Sequence, residues 1–175
     1  MTNDLEKKLL QEIQRQHLSE NDIKTFLAGL KHGKPTEAKT KSIGKNHVRY
    51  LAMSDTHIGN INYDNDLMAF AIKEAIKEKV DFIVHVGDVV DGWYQNRPTQ
   101  IFELNAIGLD QQVKLAISEL KGIKQPFYFI TANHEYNTYM RGAGVEVGNV
   151  LEDKLRTVGV EAEFLGNDEG NLQLK

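Results

Sequence analysis

The chain has 175 residues, 41% of them hydrophobic and 26% charged, with 21 Lys/Arg against 25 Asp/Glu for a formal net charge of -4. This composition fits one folded domain with a small appendage and excludes a generally disordered or collagen-like chain. Cysteine is absent, which excludes disulfides, thiol catalysis and cysteine-held metals, so any metal must be held by oxygen and imidazole. No apolar run reaches membrane-spanning length. The start Met1-Thr2-Asn3-Asp4 lacks the basic and apolar regions of a secretion signal, so no membrane partner and a cytoplasmic location are expected.

Charge divides the chain. Residues 1–47 carry nine Lys/Arg and six Asp/Glu, whereas residues 48–175 carry twelve and nineteen. Asp4 can start a helix with Leu5, Leu9, Leu10 and Ile13 on one face, and Ser19 with Asp22 forms a capping-box pattern ahead of Ile23, Phe26, Leu27 and Leu30. Residues 1–30 therefore read as a small helical module. A helical hairpin contacting the main domain or a partner protein outweighs a helix-turn-helix, because no third helix or basic recognition face is evident. Residues 31–47, with Lys31, Lys34, Lys39, Lys41 and Lys45, read as a basic flexible linker; a solvated connector is the plainer account, and phosphate-backbone contact the sharper one. His17, His32 and His47 have no ligand-like spacing.

From residue 48 the pattern alternates between strands and helices. Val48 to Met53 is an apolar run followed by Ser54-Asp55-Thr56-His57-Ile58-Gly59, and Asp64 to Lys79 has helical spacing through Leu67, Phe70, Ala71 and Ala75. Val80 to Val86 is a second strand, ending at Gly87-Asp88. A helix near Asp110 to Leu120 leads to a third strand, Phe127 to Thr131, which ends at Ala132-Asn133-His134-Glu135. Strands separated by helical crossovers imply a largely parallel sheet, and open α/β sheets place ligands beyond the carboxyl ends of their strands.

Polar residues collect at that edge. In an extended segment Asp55 and His57, two apart, point toward one ion. Asp88 has two carboxylate oxygens with which to bridge ions, and Asn133 offers an amide oxygen suited to a hard or borderline divalent metal. His134 follows, and in an extended segment its side chain diverges toward substrate. Two nearby divalent ions suit displacement at phosphorus, with the His134 imidazole, charged before attack, protonating the leaving alkoxide. Asp91 either positions water or a ligand imidazole, or caps a turn; the two readings weigh equally.

These blocks resemble the calcineurin-like metallophosphoesterase superfamily, whose D-x-H, G-D-x-x-D and G-N-H-E/D blocks are matched by Asp55-Thr56-His57, Gly87-Asp88-Val89-Val90-Asp91 and Ala132-Asn133-His134-Glu135. The resemblance covers approximately residues 48–175. It implies that Asp55 and His57 bind a first metal, Asp88 bridges, Asn133 binds a second, and His134 assists the phosphate or leaving group. Mn2+ is the expected ion pair, with Mg2+, Fe or Zn2+ as alternatives. Two departures stand out: Ala132 occupies the usual glycine position, and the family's later histidine blocks have no counterpart, since His134 is the last histidine.

Val160 to Leu165 and Leu172 to Leu174 read as strands around an Asn167-Asp168-Glu169-Gly170 turn. The expected fold is thus α/β, a layered metallophosphoesterase-like sandwich with a mostly parallel first sheet and an incomplete second sheet. Residues 48–175 are the expected amino-terminal part of a truncated domain, with impaired activity as a fragment. Glu135, Glu152, Asp153, Glu161, Glu163, Asp168 and Glu169 replace missing ligands only by coincidence of folding. His85 reads as a core imidazole rather than a ligand. Trp93, Tyr94, Tyr136 and Tyr139 suit either a substrate cleft or loop packing, and Arg97 and Arg141 can receive phosphate oxygens. The Asp55-Thr56-His57-Ile58-Gly59 start is similar to that of nucleases in the superfamily. Phosphodiester bonds of DNA or RNA are therefore the expected substrate, with a small-molecule phosphoester or a noncatalytic scaffold as alternatives.

Overall fold

Short runs rich in β-branched and aromatic residues form the centre of the protein in a computed structural model that describes residues 36–94 and 96–175. The expected helical module at 1–30 lies outside the described residues. The chain runs through β1 (Thr40–Ile43), β2 (Tyr50–Met53), α1 (Asn65–Lys77), β3 (Phe82–Val86), α2 (Leu109–Leu120), β4 (Phe127–Thr131), α3 (Val147–Thr157), β5 (Ala162–Asn167) and β6 (Asn171–Leu174). Strands β2-β3-β4-β5 form one sheet in that order, and every neighbouring pair is parallel. Parallel pairing requires crossovers. The helices supply them.

Alternation along each strand separates two apolar layers. Ile83, Phe127, Phe129 and Phe164 pack with Met68 and Ile72 of α1, Val113 and Leu120 of α2, and Leu151 and Leu155 of α3. On the opposite face Phe82, Tyr128 and Leu165 pack against Ile43 of β1 and Leu172 of β6. The result is an α/β sandwich of helices, a four-stranded sheet and a two-stranded sheet. Asp64 caps α1, its Oδ1 accepting from Leu67 N at 2.8 Å, which satisfies one of the free donors at the helix start.

The second sheet corrects two expectations. The basic stretch 31–47 contains β1, which pairs in parallel with β6 from Thr40↔Asn171 to Ile43↔Leu174, so its described part is not a mobile linker. Two of its described lysines pair within the fold: Lys41 Nζ is 2.5 Å from Glu163 Oε2 and lies over the Tyr128 ring, and Lys45 pairs with Asp81. Cross-sheet pairing and carboxylate partners outweigh the solvation that lysine-rich composition suggests. The two carboxyl-terminal strands do not form a hairpin either, because β5 completes the first sheet while β6 joins β1.

The helix α3 was not predicted. Val147, Leu151 and Leu155 do recur every four residues and are buried, but Gly148 disguises the helix by lowering its propensity. That glycine has a packing reason: a Cβ there would lie 2.3 Å from the Phe164 ring. Phe164 is fully buried and cannot yield without disturbing β5. Gly148→Ala is therefore expected to destabilise the fold by about 1–3 kcal/mol through overpacking, measured as a lower urea midpoint at unchanged m-value; equal or higher stability would contradict this packing.

Candidate metal and catalytic site

Two loops emerge from the carboxyl ends of β2 and β3 and are joined backbone to backbone. Asp55 N donates to Gly87 O, His57 N to Asp88 O and Ile58 N to Val89 O at 2.9–3.1 Å, and Asp91 N returns a bond to Ile58 O at 3.1 Å. This ladder brings the first two sequence blocks together. It also twists them, because Asp55, His57 and Asp88 have φ of 52°, 46° and 53°, in the left-handed region that costs a non-glycine residue about 1 kcal/mol or more. The Asp55–His57 segment is thus not the extended stretch expected. The two side chains still meet: His57 Nε2 lies 3.9 Å from Asp55 Oδ1.

The third block begins helically, with residues 133–135 at the start of a helical stretch that reaches residue 143 through a wider turn at Tyr136–Met140. This too replaces the extended geometry expected for Asn133 and His134. Glu135 forms the turn, its Oε2 accepting from Ala132 N at 3.0 Å as in half of a capping box. Its Oε1 accepts from Val90 N at 2.8 Å and so ties the β4 edge to the β3 loop. Glu135 is therefore a buried brace rather than a replacement ligand. Ala132 fits without strain at φ -137°, and its methyl lies against Gly87, where an added Cβ would approach it to 2.6 Å.

Asp91 sits under the site, 3% exposed. Its Oδ1 is 3.0 Å from His57 Nδ1 and 3.5 Å from His134 Nδ1, while Oδ2 accepts from Asn60 Nδ2 at 3.2 Å and Gln100 Nε2 at 3.3 Å. His57 Nδ1 has no in-line acceptor, so its approach to Asp91 is close but bent. Burial alone would raise the Asp91 pKa, but His57, Asn60 and the His134 ring together hold it below the usual carboxylate value. Asp91 in turn raises the His57 pKa against the opposing effect of burial. Of the two readings open for Asp91, the geometry favours imidazole holding.

His134 Nδ1 also lies 2.5 Å from the Asp91 carbonyl oxygen. A carbonyl only accepts, so Nδ1 carries a proton and Nε2 is left for other partners. His134 N donates to Asp88 Oδ1 at 3.0 Å, which leaves the second Asp88 oxygen unassigned. Potential ligand atoms of Asp55, His57 and Asp88 fall within 4.8 Å of one another, as do those of His57, Asp91 and His134. Exposed Asn133 donates from Nδ2 to Tyr94 Oη at 2.9 Å, directing its amide oxygen elsewhere.

A cleft of about 360 Å³ opens over these groups, lined by Asp55, His57, Asn60, Asp91 and His134, with Arg97 also on its wall. Tyr94 stands edge-on to His134 at 5.0 Å, whereas Tyr139 is buried and donates to Gln112 Oε1 at 2.8 Å. Gln112 had no sequence signal. Fully buried, it binds Gly92 N and O and Ala106 O as well, fixing the chain just after Asp91. The described acidic residues Glu152 and Glu163 serve the scaffold, through Phe164 N and Lys41.

His85 is a core residue, fully buried, with Nε2 2.9 Å from Thr56 Oγ1. Thr56 donates to Val89 O, so Nε2 is the donor to Thr56 and Nδ1 is an unpaired acceptor. Burial pushes the His85 pKa down from 6.5 to about 4 and the Glu135 pKa up from 4.5 to about 7. A depressed histidine loses stability as pH falls from 6.5 through 4, whereas a raised carboxyl loses it as pH rises from 4.5 through 7, each by the order of 3 kcal/mol. The two effects oppose in the wild type. In metal-free denaturation, His85→Gln is expected to make stability fall between pH 4.5 and 6.5, and Glu135→Gln to make it rise; parallel profiles would contradict these assignments.

Residues 48–168 match the calcineurin-like phosphoesterase family. The chain is also similar to the DNA double-strand break repair protein Mre11 of Methanosarcina acetivorans, 31% identical over 96 residues, and to that of Methanosarcina mazei, 32% identical over 96 residues. In both, the aligned stretch takes in 50% of this chain and 14% of the relative, so the chain spans a small part of those proteins. With its three sequence blocks gathered at one sheet edge and the match extending over most of its length, this chain belongs to the calcineurin-like phosphoesterase family.

Proposed function

We propose that the protein hydrolyses phosphodiester bonds of nucleic acid, DNA in the first instance, in a metal-dependent reaction at the Asp55/His57/Asp88/Asn133/His134 site. The observation that carries this reading is the convergence of two carboxylates and an imidazole within 4.8 Å beside an amide and a second imidazole. Mixed oxygen and nitrogen donors of this kind fit a divalent cation, and the carboxylate behind His57 is the partner that orients ligand imidazoles in metal sites. Asp55 and His57 would hold the first ion, Asp88 would bridge, and Asn133 would reach the second. Such ions supply Lewis acidity at phosphorus and a water acidic enough to attack near neutral pH. Manganese is the expected metal.

The chain's own groups supply position and protons. His134, held at Nδ1 by Asp91, presents Nε2 toward the cleft and, in its doubly protonated form, donates from Nε2 to the leaving oxygen. Asp91 is the positioning residue for both imidazoles. Arg97 on the cleft wall offers a guanidinium to phosphate oxygens. DNA as substrate rests on the relatives, which are named DNA double-strand break repair proteins. No histidine follows His134 in the 175 residues, so among the described residues Asp88 and Asn133 are the groups that would face the second ion, and they are expected to hold it weakly and to support poor turnover.

Manganese titration of residues 1–175 by calorimetry, with hydrolysis of a generic phosphodiester in parallel, tests the reading. One ion is expected to bind with measurable affinity and a second far more weakly. Asp88→Asn should abolish detectable hydrolysis, and Asp91→Asn should lower metal affinity by about 10–100-fold while preserving the fold by circular dichroism. Unaltered metal binding in both variants would overturn the assignment.

A further inference from the structure

Beside the cleft lies a second cavity, of about 440 Å³, walled by Tyr94, Asn96, Asn137, Arg141 and Gly142. None of the roles assigned above uses it. Tyr94 is its connection to the catalytic groups, because its hydroxyl accepts from Asn133 Nδ2 at 2.9 Å and its ring stands 5.0 Å from that of His134 at 73°. The Tyr94 main chain is fixed as well: its N–H donates to Gln100 Oε1 at 2.9 Å, and Gln100 donates to Asp91 Oδ2 at 3.3 Å. Tyr94, on the wall of the second cavity, is thus tied to the carboxylate that holds both imidazoles.

The opposite wall comes from the helical stretch 133–143. Asn133, Asn137 and Arg141 recur every four residues, a spacing that keeps side chains on one side of a helix, so this row begins at the catalytic groups and ends in the cavity. Among the described residues its polar lining consists of a guanidinium, two carboxamides and a phenol, with no carboxylate. A guanidinium fork matches the oxygens of a phosphate, and carboxamides add donors around it. A small phosphodiester bound at His134 has nothing to place here. A nucleic-acid strand has a phosphate on every nucleotide.

Resting on the phosphodiesterase reading above, we propose that this cavity is a subsite for the phosphate adjoining the scissile one in a nucleic-acid strand, with Arg141 as its principal contact. It makes the protein selective for a polymeric substrate over an isolated diester, because only the polymer fills both cavities.

The test is fluorescence anisotropy of a fluorescein-labelled single-stranded deoxyoligonucleotide with residues 1–175 in chelator. Arg141→Gln is expected to weaken binding about five- to tenfold and to lower the slope of log affinity against log salt by roughly 0.7, the loss of one phosphate contact on a single strand. Lys114→Gln, which removes the same charge from an exposed position on α2, should change affinity less than twofold. Equal effects of the two substitutions on oligonucleotide binding, or none from either, would overturn the subsite while leaving the phosphodiesterase reading intact. Absence of oligonucleotide binding by the wild type would overturn the subsite too, and the parallel hydrolysis of the generic diester would then decide separately whether the phosphodiesterase reading survives.

Discussion

A buried carboxylate between two imidazoles organises the site. Asp91 lies beneath His57 and His134 with its other oxygen taken by Asn60 and Gln100, so little freedom remains to any of the five. A carboxylate removed from water is costly unless its acceptors are satisfied. Here the amides of Asn60 and Gln100 donate to Oδ2 and the two imidazoles lie against Oδ1, which together offset that cost, and the same contacts aim the rings. His57 shows its Nε2 to Asp55, and His134 shows its own to the cleft. In the proposed reaction, metal holding and proton delivery would therefore both depend on one group that need not touch substrate.

The scaffold makes that arrangement available. Parallel strands deliver their following loops to one edge, but proximity alone would leave Asp55, His57 and Asp88 on mobile backbone. The ladder between the β2 and β3 loops fixes them in left-handed conformations, and strain of this sort persists only where surrounding structure over-determines it. Glu135 and Gln112 are the braces. Each is fully or almost fully buried, each satisfies several backbone groups, and neither resembles a ligand. The close fit of Gly87 against Ala132 shows that the unusual alanine of the third block is accommodated by a glycine on the neighbouring strand's loop.

Much of this was legible in the sequence. The first-sheet strands and the loops bearing Asp55, His57, Asp88, Asn133 and His134 follow from apolar periodicity and block order, and His85 was read as a core residue because it interrupts an apolar run. Other features were hidden for physical reasons. β1 sits in a lysine-rich stretch whose partner is some 130 residues away in β6, and periodicity carries no information about such pairing. Gly148 obscured α3 because its packing role against Phe164 exists only in three dimensions. Extended geometry was the default for Asp55–His57 and Asn133–His134, and local rules cannot foresee backbone strain imposed by a neighbouring loop. The equal readings of Asp91 could be separated only by seeing which rings it faces.

Long-range proton–nitrogen spectroscopy of the imidazoles, on metal-free protein near pH 8, tests the role of Asp91 most directly. Both His57 and His134 are expected to carry a proton at Nδ1, with Asp91→Ala releasing His57 to a mixture of tautomers. A wild-type His57 protonated at Nε2, or tautomers of both rings unaltered by removing the carboxylate, would contradict the account.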